Sequence, residues 1–231
     1  MYVFAQCDHG EQIWRVDFTK TSTDLTVYNF DYLDSHNQPF SRQALKVTNR
    51  QILLPSAKNT LPMLVTEDIR KHKWTPLWIG PSQGTIDSLY FRASEGWMVL
   101  TGGTVLKSFD GGKSWRIVAN LRSVVSEAVE DMAFSDLSIG YVATNGAVHK
   151  TTDGGNTWEN IDLPLGRKRI LVGAFGALIY AGSTGELLRE SSGGDWSPFG
   201  RVPPGRIDAL VVFDSTIFSA INGKVYAAKI K

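Results

Sequence analysis

A chain of 231 residues is long enough to bury a core without covalent staples, and one all-β domain can occupy the whole of it. Its 42% hydrophobic and 20% charged residues exclude a disordered chain, a long charged helix and a coiled coil. Twenty-four basic residues against 23 acidic ones leave a net charge of +1, which gives no global field to gather nucleic acid or an anionic membrane. Cys7 is the only cysteine, so an internal disulfide and any multi-cysteine zinc or iron–sulfur site are excluded. The 22 glycines and 7 tryptophans point to short strands, tightly turned and closed over by large aromatic side chains.

The first residues, Met1 to His9, lack the basic start and apolar stretch of a secretory signal, which makes a cytoplasmic location the default expectation. No apolar run approaches the roughly 18 residues of a membrane-spanning helix. Strands are expected from Tyr2 to Gln6, Gln12 to Phe18 and Leu25 to Phe30, where branched and aromatic residues lie between turn formers. Four more follow at Ala44 to Val47, Gln51 to Leu54, Leu61 to Val65 and Trp74 to Trp78, then four at Leu89 to Phe91, Trp97 to Leu100, Thr104 to Leu106 and Trp115 to Val118. The next unit reads Val129 to Phe134, Ile139 to Ala143, Ala147 to Lys150 and Trp158 to Ile161. Its successor reads Ile170 to Gly173, Leu178 to Ala181, Glu186 to Arg189 and Trp196 to Phe199, and the chain closes with Ile207 to Phe213, Thr216 to Ala220 and Lys224 to Ile230.

These strands fall in phase with a repeat. Gly103, Gly146, Gly185 and Gly223 each precede a short apolar strand, at spacings of 43, 39 and 38 residues. Four-stranded units of about 40 residues have the length of propeller blades, whose radial packing covers faces that a lone sheet would expose. The expected architecture is therefore all-β, a single β-propeller over residues 1–231 with its clearest units at 84–118, 127–161 and 167–199. Six blades are favoured over five, since the irregular first 40 residues could instead complete a neighbouring blade. Incomplete units at both ends suit a ring closed by strand exchange or packing. A β-sandwich also uses short strands and turns, but does not explain the phased repeat. The clusters at Pro81 to Gly84, Leu163 to Gly166 and Pro203 to Gly205 read as inter-blade connections.

The sharpest local signal runs from Ser108 through Asp110, Gly112 and Ser114 to Trp115, and recurs from Thr151 through Asp153, Gly155 and Thr157 to Trp158. An aspartate in a short loop accepts backbone N–H bonds, glycines supply positive φ, hydroxyls add caps and the tryptophan plugs the start of the fourth strand. This pattern resembles the Asp-box, or BNR repeat. A third copy has Ser192 at the aspartate position and one residue fewer before Trp196, while an earlier one keeps Thr66, Asp68 and Trp74 without the glycines. Such degeneracy suits turns kept for folding. The succession Gly96-Trp97, Gly102-Gly103 and Ser108 to Trp115, followed by Gly140-Tyr141, Gly146 and Thr151 to Trp158, resembles the photosystem II assembly and stability factors and their BNR-like bacterial relatives. Good coverage runs from about residue 84 to 198. That resemblance implies a propeller and a role in protein assembly.

Other chemistry is weaker in the sequence. Asp-boxes are common in sialidases, which also need an arginine cluster, a tyrosine paired with a glutamate, and an acidic proton donor. Arg15, Arg42, Arg92, Arg122, Arg169 and Arg206 and the tyrosines Tyr90 and Tyr141 are available, but no motif gathers them. Cys7, Asp8 and His9 could supply metal ligands, yet His36, His72 and His149 lack a companion spacing. Gly102-Gly103 and Gly111-Gly112 lack the Lys-Ser or Lys-Thr of a phosphate loop. No metal, cofactor or catalytic residue is therefore expected. The basic runs Arg70 to Lys73 and Arg167 to Arg169 suit a solvated loop or an acidic partner.

The function read from these residues is a non-enzymatic protein-binding scaffold or assembly factor. The alternatives are a lectin-like carbohydrate-binding propeller and a sialidase-like glycoside hydrolase. The expected partner is a protein, with carbohydrate as the alternative and no specific nucleic acid indicated; the oligomeric state is not encoded legibly. The candidate binding set is Trp97, Arg122, Arg167, Lys168 and Arg169, an aromatic anchor with cations suited to carboxylates. The competing role for Trp97 is to fill an inter-blade core.

Overall fold

The computed structural model describes the backbone of residues 2–7, 10–18, 23–29, 46–47, 52–54, 63–66, 75–77, 86–121, 129–144, 146–161, 163, 169–172, 178–181, 185–191, 193–204, 207–213, 216–221 and 224–229. Side chains are described for 86–121, 129–144, 146–161, 163, 185–191, 193–204, 210, 216–221 and 224–229. These residues form strands and contain no α-helix. The first sheet holds β1 (Tyr2–Cys7), β2 (Gly10–Phe18) and β3 (Thr23–Asn29). The second holds β4 (Lys46–Val47), β5 (Ile52–Leu54), β6 (Met63–Thr66) and β7 (Thr75–Leu77). The third holds β8 (Ile86–Arg92), β9 (Glu95–Leu100), β10 (Thr104–Ser108) and β11 (Arg116–Asn120).

Next come β12 (Val129–Phe134), β13 (Gly140–Thr144), β14 (Val148–Thr151) and β15 (Glu159–Ile161), then β16 (Arg169–Val172), β17 (Leu178–Ala181), β18 (Glu186–Glu190) and β19 (Trp196–Arg201). The last sheet holds β20 (Ile207–Phe213), β21 (Thr216–Ile221) and β22 (Lys224–Lys229). Every sheet is an antiparallel meander in chain order. The expected strands at Val129 to Phe134 and Ile207 to Phe213 match β12 and β20 end to end. Trp115 and Trp158, expected to open the fourth strands, stand one residue before β11 and β15. Strand exchange between the ends is absent among the described strands, since each terminal sheet pairs only within itself.

The sheets stack through their first strands: β4 against β8, β8 against β12, β12 against β16 and β16 against β20. That is the packing of propeller blades around an axis. It demands sheets that are apolar on both faces, and successive residues of a strand supply them by pointing to opposite sides. Trp97 and Val99 of β9 meet Met132, Phe134 and Val142 of the following sheet. Met98 and Leu100, one position on in each case, join Ile86, Leu89 and Leu106 on the opposite face. Tyr141, Ala143 and Val148 then meet Leu188 of the sheet beyond, and Leu187 meets Leu210, Ile217 and Ile221 of the last.

The Gly-Trp and Gly-Tyr strands have a steric cause. Phe91 pairs with Gly96, and Phe134 with Gly140, across the first two strands of their sheets. In each case the phenylalanine ring folds over its glycine, and a Cβ at Gly96 would lie 2.5 Å from Phe91 Cε1. Only a residue without a side chain fits beneath the ring.

Candidate functional site

The two Asp–Gly–Gly turns are built alike. Ser108 Oγ donates to Asp110 Oδ1 at 2.9 Å and accepts from the Gly112 N–H at 2.8 Å. Asp110 accepts from the Ser114 N–H at 2.9 Å and the Ser114 hydroxyl at 2.6 Å. Trp115 Nε1 closes the turn on Gly112 O at 3.0 Å. In the second turn Thr151 donates to Asp153 at 2.8 Å and accepts from Gly155 at 2.9 Å, while Asp153 accepts from the Asn156 N–H, the Thr157 N–H and the Thr157 hydroxyl at 2.9, 2.9 and 2.7 Å. Trp158 Nε1 reaches Gly155 O at 3.0 Å. Gly112 and Gly155 have φ of +91° and +97°, the left-handed conformation that side chains disfavour. At the third copy Ser191 Oγ accepts from the Gly193 and Asp195 N–H groups at 3.3 and 3.2 Å, so a hydroxyl does part of the work of the missing aspartate. Ser192 itself lies outside the described residues.

The Ser114 hydroxyl beside Asp110, with further N–H donors, holds its carboxyl down at about 2. At Asp153 burial works in the opposite direction, but the bonds from Thr157, Thr151 and Asn156 outweigh it and the pKa is lowered. Both carboxylates are thus ionised and already occupied by their own loops, which leaves little capacity for accepting a catalytic proton.

The turn around Asp153 is also gripped by the sheet before it. Trp97 is fully buried at 0% exposure, stacks on Phe134 with ring centroids 3.8 Å apart, and donates its indole N–H to Gly154 O at 2.8 Å. Lys107 lies 4.7 Å from the Trp97 ring centre, pairs with Glu95 at 2.8 Å and reaches the same Gly154 O at 3.4 Å. One repeat later, Tyr141 takes the place of Trp97 and Lys150 that of Lys107. Their target is now Glu190, which accepts from the Tyr141 hydroxyl and pairs with Lys150 at 2.8 Å.

This is the tyrosine–glutamate pair that glycosidase chemistry of the sialidase kind would need, so its environment matters. Tyr141 is 1% exposed. Burial, then the hydrogen bond and negative charge of Glu190, push its phenol far above the usual range. A nucleophile needs the reverse on both counts, access and a lowered pKa. The pair serves as an inter-sheet tie.

Strand direction places the two described members of the predicted binding set, Trp97 and Arg169, toward opposite ends of their sheets. The β8–β9 and β10–β11 connections lie at one end of their sheet; the β9–β10 connection and the passage to the next sheet lie at the other. Trp97 bonds to a turn at the first end. It is a core residue, enclosed by Phe134, Lys107 and Gly154, which is the competing role read from the sequence and corrects its place in the binding set as an aromatic anchor. Arg169 opens β16, at the end of its sheet away from the turns, with its side chain outside the described residues. Arg122, Arg167 and Lys168, the basic run Arg70 to Lys73, and Asp8, His9, His36 and His72 also lie outside them. Cys7 closes β1.

Sequence reasoning did not single out Phe109 and Arg116. Phe109 is 47% exposed, with the Arg116 guanidinium 4.4 Å from its ring centre. The signal that could have found them is the repeat itself, since the aligned positions 152 and 159 hold threonine and glutamate.

No protein-family model and no curated protein matches the sequence. Solved structures match it by shape. A structure of YCF48 bound to a D1 peptide superposes with a TM-score of 0.55 at 20% identity over 77% of this chain, which spans 61% of that one. YCF48 from Cyanidioschyzon merolae gives 0.60 at 17% identity, covering 94% of this chain and 70% of its own. A catalytically inactive virginiamycin B lyase from Staphylococcus aureus, with quinupristin, gives 0.62 at 13% identity over 84% of this chain and 72% of the lyase. The chain is a β-propeller. Its likeness to YCF48 in three dimensions accompanies the Gly-Trp and Gly-Tyr repeat seen in the sequence, and at these identities the shared property is the fold. No helix among the described residues is long and apolar enough to cross a membrane.

Proposed function

We propose that residues 1–231 form one propeller domain, with the six sheets as its blades, that binds another protein as a scaffold or assembly factor and catalyses no reaction. The observation that carries this reading is the likeness to YCF48, one structure of which holds a D1 peptide. In this reading the two Asp–Gly–Gly turns are Asp-boxes with a folding role. Their carboxylates accept bonds from Ser108, Ser114, Thr151 and Thr157 within their own loops. Binding then falls to positions that differ between repeats, because the repeated ones are committed to the fold.

Affinity capture with the intact chain, followed by crosslinking mass spectrometry, tests the proposal. A protein crosslinked through one end of the propeller is the expected result. Binding confined to a glycan array, abolished by exposed aromatic substitutions in several sheets, would replace it with the lectin reading. Turnover of a fluorogenic sialoside would replace it with an enzyme.

A further inference from the structure

We propose that Phe109, Arg116 and Leu137 form a docking surface for an extended protein segment that carries a carboxylate beside an aliphatic or aromatic side chain. This deepens the protein-binding reading and rests on it. Phe109 and Leu137 are 47% and 45% exposed, two of the large apolar side chains that the described surface leaves in water. They come from neighbouring sheets, which approach each other at Gly154. A Cβ placed on that glycine would lie 2.9 Å from Leu137 O and 3.0 Å from Lys107 Nζ. Lys107 in turn lies 4.9 Å from the centre of the Phe109 ring. The surface therefore spans the seam that the Trp97 and Lys107 contacts hold rigid.

The fold does not require this chemistry. The register pairs Lys107 with Arg116, Lys150 with Glu159 and Arg189 with Ser197, which makes positions 116, 159 and 197 equivalent. In the turns Phe109 corresponds to Thr152, and the hydrogen bonds of the two loops nevertheless coincide. Among the described residues a guanidinium also lies over a ring in the β16–β19 sheet, Arg189 at 5.0 Å from the Phe199 centre, but at other positions and on a half-buried ring. The exposed turn ring with its arginine belongs to the β8–β11 sheet.

Charge selects the occupant. Lys107 is neutralised by Glu95 at 2.8 Å, and the Asp110 carboxylate is engaged by Ser108 and Ser114. Among the described residues Arg116 has no carboxylate partner; its contact is with the Phe109 ring. A guanidinium held over an aromatic face keeps its in-plane N–H donors for a carboxylate. The adjacent Phe109 ring offers apolar contact at the same place, with the exposed Leu137 across the seam as a second apolar contact, the combination of aromatic and arginine that dominates protein interfaces.

The test uses the full chain and a fluorescent peptide in which glutamate alternates with leucine and phenylalanine, alongside its lysine-for-glutamate counterpart. The double variant F109T/R116E transplants Thr152 and Glu159, residues that the neighbouring sheet already accommodates. R116Q removes only the exposed charge. Fluorescence anisotropy should show the acidic peptide binding the native chain, at least tenfold weaker binding to F109T/R116E, intermediate binding to R116Q, and no binding of the lysine peptide. Equal affinity for native chain and R116Q, equal binding of the lysine peptide, or failure of the acidic peptide to bind the native chain would overturn the proposal. A captured partner protein that still binds F109T/R116E unchanged would move the docking surface elsewhere while leaving the protein-binding reading intact.

Discussion

At position 149 a histidine occupies a place that the repeat gives to leucine at 106 and 188. It is 2% exposed, shares the face of its register partner Val142, and neither ring nitrogen has a hydrogen-bond partner among the described residues. Burial holds its pKa below the ordinary 6.5. The sign follows directly: as pH falls below 6.5 the unfolded chain takes up a proton that the folded chain resists, so stability declines. His149→Leu should raise stability by about 1 kcal/mol at neutral pH, since it removes an unpaired polar group from an apolar interface. It should also flatten the pH dependence below 6.5. Denaturant titrations at pH 7.5 and 5.5 check both; an unchanged pH slope contradicts the assignment. Asp110 acts in a lower window, because a depressed carboxyl pKa contributes stability that is present above the unfolded value of 3.8 and lost as pH falls toward about 2. Its exposure keeps that contribution small. D110N should remove part of the acid dependence between these limits while leaving the neutral-pH fold intact, as followed by circular dichroism.

Among the elements, the first two strands of the β8–β11 and β12–β15 sheets depend on a ring folded over a glycine. Gly96→Ala would force a methyl into Phe91, 2.5 Å away, and should cost about 2 kcal/mol or more, whereas an alanine in place of the open Gly200 should cost under about 1 kcal/mol. A comparison of denaturation midpoints decides it. Trp97→Ala should cost about 3–5 kcal/mol, with Trp158→Ala costing less because Trp158 is only partly buried; the reverse order would contradict the inter-sheet role. The strands themselves were legible, since glycine hairpins and tryptophans repeat at short range. The fate of Trp97 was not: its acceptor, Gly154 O, lies 57 residues away, and nothing local in Gly96-Trp97-Met98 distinguishes an indole facing the next sheet from one facing solvent. The Phe109–Arg116 pair was hidden for a related reason, because two residues seven positions apart meet only once the hairpin brings Arg116 opposite Lys107.

For the whole molecule, the alternation Trp97, Met98, Val99, Leu100 distributes one strand between two cores. That sheet is thereby made dependent on both its neighbours, which the propeller arrangement satisfies. The repeated positions hold that stack together: turns close on Trp115 and Trp158, and the side chains of Trp97, Lys107, Tyr141 and Lys150 reach across to the following sheet. In the proposed protein-binding reading, recognition falls to what does not repeat. Hydrogen exchange of the native chain with and without its captured protein partner tests this division most directly. The account predicts protection concentrated at residues 109–117 and 135–139, with the corresponding turn of the β16–β19 sheet, at 190–196, unchanged; equal protection of 190–196, or none at 109–117, would contradict it.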